Sequence, residues 1–303
     1  MVRLMVRLRD QNEVVGLSRR KRRRIRAINI GPALLTLGNL LSGFAAIHFC
    51  SRPVVPPVDP IHNLSLACYM IFAAMLCDAL DGRLARFSRT TSEFGAQLDS
   101  LADVVSFGAA PGFIVIRLII AISQGPYEIS PGATTAFGRF CWIAAGAYLA
   151  CGALRLARFN VENVSDESSH MAFRGLPIPG AAGALVSLIL LNLESLRPVA
   201  NGDVSGLGHY SAVLAAAVPW VVIILGLLMV SRLPYVHVVN RFLRGKKPFW
   251  MVVAAAFGIL AFLLWPELVL AVTLCGYALS GPVSWLVRFV ARFFVGPSIQ
   301  EEP

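Results

Sequence analysis

The chain has 303 residues, 56% of them hydrophobic and 15% charged, with a formal net charge of +10. A mean hydropathy of +0.68 excludes a water-soluble globule of this length. The apolar runs are too long for barrel strands, so backbone satisfaction in lipid leaves an all-α integral membrane protein.

A spanning helix needs roughly 20 apolar residues. The sequence predicts a bundle of about eight transmembrane helices, at roughly 28–49, 64–82, 98–122, 138–157, 178–194, 209–231, 248–265 and 267–288. Ahead of the first span lies a basic arm with Arg19, Arg20, Lys21, Arg22, Arg23, Arg24 and Arg26. It reads as a topology signal that also meets anionic lipid. No folded binding module surrounds it, so no nucleic-acid partner is expected. It does not resemble a cleavable signal peptide, because the apolar run that follows is long and lacks a clean small-residue cleavage site.

Basic residues also follow the second span (Arg83, Arg86, Arg89), the fourth (Arg155, Arg158, Arg174), the sixth (Arg232, Arg241, Arg244, Lys246, Lys247) and the last (Arg288, Arg292). The loops at 51–63 and 124–135 are rich in turn residues and poor in charge. The positive-inside rule then puts both termini in the cytoplasm. The tight Trp265-Pro266-Glu267 connection predicts a hairpin of the last two spans. The cysteines Cys50, Cys68, Cys77, Cys141, Cys151 and Cys275 form no CxxC pair and read as small core residues. The histidines are scattered without metal-ligand spacing.

The chemistry concentrates where the second and third spans meet the cytoplasm. Asp78, Asp81, Gly82 and Ala85 fall at i, i+3, i+4 and i+7 and form one helix stripe, with Arg86 beside it. After a polar turn, Gly95, Asp99, Asp103 and Ser106 recur at about one helical turn. Four carboxylates in so apolar a chain repel each other and resist burial, so a cation must neutralise them. Hard oxygen ligands favour Mg²⁺, Mn²⁺ or Ca²⁺ over zinc or copper. Two such ions clamp a phosphoryl group, and Arg86 adds a guanidinium fork for phosphate. The residues alone therefore point to metal-assisted phosphoryl transfer at a membrane surface. A divalent-cation transporter is the remote alternative; it needs acids near the bilayer midplane, and the fourth to eighth spans carry almost none.

The spacing D-x-x-D-G-x-x-A-R, eight residues, then G-x-x-x-D-x-x-x-D resembles the signature of the CDP-alcohol phosphotransferases, with every position filled. The resemblance implies that Asp78, Asp81, Asp99 and Asp103 hold Mg²⁺ or Mn²⁺ as a pair of ions, with Asp103 also the general base. It implies that Gly82, Ala85 and Gly95 make room for the nucleotide and that Arg86 holds its phosphates. Pro32-x-x-x-Thr36-x-x-Asn39-x-x-x-Gly43, the run Ala153–Asn160, Phe173-Arg174-Gly175-Leu176-Pro177-Ile178-Pro179 and Leu228–Tyr235 are similar to one branch, the bacterial CDP-diacylglycerol–serine phosphatidyltransferases. Val238 and Val239 stand where members of that branch often carry a lysine.

That branch implies CDP-diacylglycerol and L-serine as substrates, surrounding membrane lipids, a homodimer, and a site on the cytoplasmic face of the bacterial inner membrane. The same chemistry on glycerol 3-phosphate, inositol phosphate or choline is the alternative. Asn39 is either an interhelical hydrogen bond or a substrate contact. Arg155 and Arg158 either anchor the cytoplasmic end or hold an anionic group, and Ser231, Arg232 and Tyr235 are further candidates around the acceptor. The resemblance divides the chain into a basic arm (1–27), a CDP-alcohol phosphotransferase domain of about six helices (28–240) and a C-terminal piece with two helices and a short tail (241–303).

Overall fold

The computed structural model describes residues 30–52, 60–88, 93–123, 136–165, 175–200, 207–233, 235 and 249–295. The basic arm and most of the loops at 51–63, 124–135 and 160–174 lie outside them. The described elements are helices: α1 (Ile30–Ser51), α2 (Pro60–Ser88), α3 (Glu93–Asp103), α4 (Ala110–Ser123), α5 (Ala136–Ser165), α6 (Ile178–Ala200), α7 (Leu207–Val230), α8 (Phe249–Leu264) and α9 (Pro266–Val295). A π-helical segment, Val104–Ala109, joins α3 to α4. Together these make eight rods at the eight expected places. Five candidate spans are long and apolar enough to cross a bilayer, and three shorter apolar helices, Ile178–Glu194, Ala216–Val230 and Ala254–Leu264, complete the set. The protein is an all-α integral membrane protein.

The rods overrun the apolar windows at the acidic end. The 29 residues of α2 make a rod of about 44 Å, against about 30 Å of hydrocarbon. Asp78 and Asp81 stand in the last turns of its candidate span, Ile61–Leu84, and the helix runs on beyond that span to Ser88. Helix α3 starts at Glu93, at the edge of the candidate span Phe94–Ala121, and Asp99 and Asp103 stand in the first turns of that span.

Helix α1 lies along α2 in the most extensive helix pairing of the structure and also meets α3, the π segment and α4. Small residues permit this approach. A Cβ on Gly38 would stand 3.3 Å from the Cys77 sulfur, and one on Gly43 would stand 2.6 Å from the Ser106 Cα. Helices α5, α6 and α7 close the other side of the bundle, while α8 packs only against α9 among the larger contacts. The core holds Phe107, Ile114, Leu118, Tyr148, Leu185, Ile189 and Met229 with no exposed surface to speak of. Large apolar side chains on the outside, such as Leu41, Ile143, Phe257 and Leu263, face where lipid would be. All six cysteines are free thiols, buried or half-buried, as their placement in apolar runs predicts. Arg117 is turned to the end of α1, where its guanidinium donates to the carbonyls of Cys50 (2.7 Å) and Arg52 (3.2 Å).

Two sequence stretches far apart in the chain are stitched together behind the site. Gly175 donates its N–H to the Leu233 carbonyl (2.9 Å), and Leu176 donates to the Leu228 carbonyl (3.0 Å). Gly175 adopts φ +88°, and a Cβ there would lie 2.5 Å from the Met229 carbonyl oxygen and 2.8 Å from that of Ser231. Only glycine satisfies both the left-handed backbone and the contact. Gly175→Ala should therefore lower stability by about 1–3 kcal/mol, read as a lower thermal unfolding midpoint in detergent. An unchanged midpoint would show that the junction yields freely.

Candidate active site

The acidic stripe of α2 and that of α3 face each other. Carboxylate oxygens of Asp78, Asp99 and Asp103 all lie within 4.8 Å of one another. Asp81 sits one turn on along α2 and is buried at 7% exposure, as is Asp103. Its charge acts on both Asp78 and Asp99. Three residues advance a helix by about 300°, so Asp81 points about 60° away from Asp78. That rotation turns it toward α1, where the Thr36 hydroxyl donates to its Oδ2.

The motif on α1 is the second layer of this site. Thr36 lies 3.1 Å from the Pro32 carbonyl while serving Asp81. Asn39, with 0% exposure, donates from Nδ2 to Asp103 Oδ1 at 3.0 Å. Ser106 donates to the Asn39 carbonyl at 2.9 Å, and Gly43 gives Ser106 its room. Residues 32, 36, 39 and 43 thus share one face, and each bears on an acid or on a group that orients one. The Asn39–Asp103 contact is an interhelical hydrogen bond between α1 and α3. The Asn39 Oδ1 is buried without a hydrogen-bond partner.

The π segment follows directly on Asp103. One extra residue in that turn re-registers the helix below the acid, and such segments recur at functional sites. Here it buries Ser106, Phe107 and Gly108. The Tyr148 hydroxyl of α5 donates to the Phe107 carbonyl (3.0 Å), serving one of the carbonyls of the segment.

Nothing lies within 4 Å of a Cβ placed on Gly82, so this edge is open, and Gly95 is half-buried. Ala85 and Arg86 fall on the last turns of α2, with side chains outside the described residues. Arg155 of α5 acts on Asp103 across the site, and its Nε is buried with no hydrogen-bond partner. Arg158 is half-buried one turn on, and Arg232 is exposed beyond the end of α7. The Ser231 hydroxyl donates to the Leu228 carbonyl (2.8 Å), and the Tyr235 hydroxyl donates to the Ala278 carbonyl (2.9 Å). The structure thus gives both hydroxyls backbone partners. Thr36, Ser106 and Tyr148 were not singled out as site residues in the sequence. The first two sit on the motif faces that could have flagged them; nothing in the pattern around Tyr148 does.

Close carboxylates, with Arg155 the one guanidinium among the described residues that acts on Asp103, form a donor set suited to a hard divalent cation. The fold and site together define a membrane-embedded helical bundle with an acidic, oxygen-rich centre where the bilayer meets water. The chain belongs to the CDP-alcohol phosphatidyltransferase family, whose model matches residues 29–228. It is thereby a transferase of phospholipid biosynthesis, and the transporter alternative is set aside.

Three curated relatives share the same printed description, CDP-diacylglycerol–serine O-phosphatidyltransferase. One from Helicobacter pylori is 30% identical over 275 residues, covering 89% of this chain and 97% of its own. One from Bacillus subtilis is 34% identical over 53% of this chain and 76% of its own. One from Methanocaldococcus jannaschii is 34% identical over 57% of this chain and 64% of its own.

Proposed function

We propose that the protein transfers the phosphatidyl group of CDP-diacylglycerol to the hydroxyl of L-serine, giving phosphatidylserine and CMP. The observation that carries this reading is the convergence of Asp78, Asp99 and Asp103 within 4.8 Å, with Asn39 holding Asp103 from behind. The relatives' description supplies serine and the lipid donor.

In this reading the acyl chains lie in lipid and the cytidine diphosphate lies over the open edge at Gly82. Asp78, Asp81, Asp99 and Asp103 would hold two Mg²⁺ or Mn²⁺ ions. Such ions neutralise charge on the diphosphate and on the departing phosphate oxygen. Asn39 fixes one oxygen of Asp103, leaving the other to accept the serine hydroxyl proton. The serine oxygen forms its bond to the phosphorus bearing diacylglycerol as the bond from that phosphorus to the bridging oxygen breaks, and CMP carries away the electron pair. Arg86 would hold the diphosphate from the end of α2.

Arg155 would hold the acceptor's carboxylate. It acts on Asp103, the serine carboxylate lies only a few bonds from the hydroxyl that Asp103 deprotonates, and its buried Nε lacks a partner. The site would lie on the cytoplasmic face of a bacterial inner membrane, a reading supported by the basic residues that the sequence puts at this end.

Purified protein incubated with CDP-diacylglycerol and a panel of labelled alcohols should yield phosphatidylserine as its main lipid, identified by mass, with stoichiometric CMP. A main product from glycerol 3-phosphate, inositol phosphate or choline would replace serine as the acceptor. No CMP from any alcohol would overturn the reaction.

A further inference from the structure

Pro111 is the second residue of α4 and stands four residues after Phe107. In an unbroken α-helix the Phe107 carbonyl would accept from the N–H of residue 111. Proline has no such N–H, and its ring would press on that carbonyl. The wider π turn relieves the clash, with Ala110 donating its N–H to the Val105 carbonyl five residues back. The Phe107 carbonyl, denied its ordinary partner, accepts from the Tyr148 hydroxyl at 3.0 Å. Both residues have 0% exposure, so water does not compete for the bond.

Glycines bring α5 close enough for this reach. A Cβ on Gly108 would stand 2.9 Å from Leu149 Cδ1, and one on Gly112 would stand 3.4 Å from the Ala145 carbonyl oxygen. From the other side, a Cβ on Gly226 of α7 would lie 3.5 Å from the Tyr148 Cα. Tyr148 is thus wedged between α7 and the π segment.

The extra residue of the π turn bears on the acids. One residue turns a helix by about 100°. Below the turn, Ile114, Val115 and Leu118 are fully buried in the core. Above it, Asp103 converges with Asp78 and Asp99. A turn closed to α register would swing one half away from its place. Inside the segment, Ser106 donates to the Asn39 carbonyl (2.9 Å), and Asn39 donates to Asp103 (3.0 Å), so the turn and the acid share one chain of contacts.

We propose that Tyr148 is a positioning residue: with Pro111 it keeps the π turn open, and the open turn keeps the Asp103 carboxylate beside Asp78 and Asp99, where a dication would bind. The inference rests on the reading of that cluster as a metal site.

The test measures Mn²⁺ binding to metal-free, full-length protein in detergent by calorimetry, with unfolding midpoints alongside. The variants are Tyr148→Phe, Pro111→Ala and the two combined. Phenylalanine keeps the ring and removes only the hydroxyl. Tyr148→Phe should raise the Mn²⁺ Kd about 10-fold, the lower end of the range for losing an outer group that orients a ligand. It should also lower the unfolding midpoint, because a buried carbonyl loses its partner. Pro111→Ala supplies the missing N–H and lets the turn close, so it should weaken Mn²⁺ by a similar factor. Added to Tyr148→Phe, it should bring the midpoint back while Mn²⁺ binding stays weak. A purely structural hydroxyl predicts a lower midpoint with the Mn²⁺ Kd within about twofold of the parent, and that result would overturn the proposal. Recovery of Mn²⁺ affinity together with the midpoint in the double variant would overturn it too. Should Tyr148→Phe fail to fold, a parent-like Kd in Pro111→Ala would be decisive against it. A parent protein that takes up no Mn²⁺ would sink the metal reading of the cluster, and this inference with it.

Discussion

Asp103→Asn should lower turnover by a factor of about 10²–10⁴, the range for removing a positioned general base. The substitution is close to isosteric. An asparagine oxygen still accepts from Asn39 Nδ2, so the contact between α1 and α3 at 3.0 Å is kept. What is lost is basicity and one negative charge. The charge matters separately, because Asp103 is one of the three carboxylates gathered within 4.8 Å, and its removal weakens the hold on a dication. The two effects separate by titration with Mn²⁺. If Asp103 served only as a ligand, saturating metal would restore turnover to near the parent value. If it accepts the serine proton, saturating metal restores binding of CDP-diacylglycerol and leaves turnover at its low level. Near-normal turnover in the variant at ordinary metal concentration would remove Asp103 from the chemistry altogether.

The acidic centre was legible because helix periodicity alone puts 78 with 81 and 99 with 103, whatever the rest of the chain does. The length of the apolar runs fixed the eight rods for a similar reason: lipid thickness sets it. The division of labour among the acids was not legible. It depends on a rotation of about 60° between Asp78 and Asp81 and on which neighbour stands in each direction, α3 for one and α1 for the other. The α1 motif was visible as a pattern of Pro32, Thr36, Asn39 and Gly43, but its meaning needed the partner helices. Thr36 reads as an ordinary helix threonine until Asp81 is set against it.

The π segment after Asp103 was not legible in the sequence, which runs on as an apolar helix.

Removing divalent metal should reduce turnover to the level of the reaction without enzyme, and Mg²⁺ or Mn²⁺ should restore it. The reason lies in the crowding of the acids. At 4.8 Å, two ionised carboxylates repel by about 3 kcal/mol for an effective dielectric near 20, and the cluster holds three such pairs. The hydrogen bond from Asn39 to Asp103 offsets part of this, and Arg155 adds one positive charge from across the site. A dication bound there would offset more and, under the proposed function, draw in the diphosphate.

The same argument links metal to stability. A ligand bound only by the folded state at 100 times its Kd adds about 2.7 kcal/mol. Metal-stripped protein in detergent should therefore unfold at a lower temperature than protein given Mg²⁺ or Mn²⁺. Asp78→Asn or Asp99→Asn should shrink that difference, because each removes one of the converging carboxylates. Full turnover in protein shown by elemental analysis to be free of divalent metal would break the link between this acidic cluster and catalysis. A metal-dependent rise in unfolding temperature without metal-dependent turnover would leave the cluster a structural cation site and move the chemistry elsewhere.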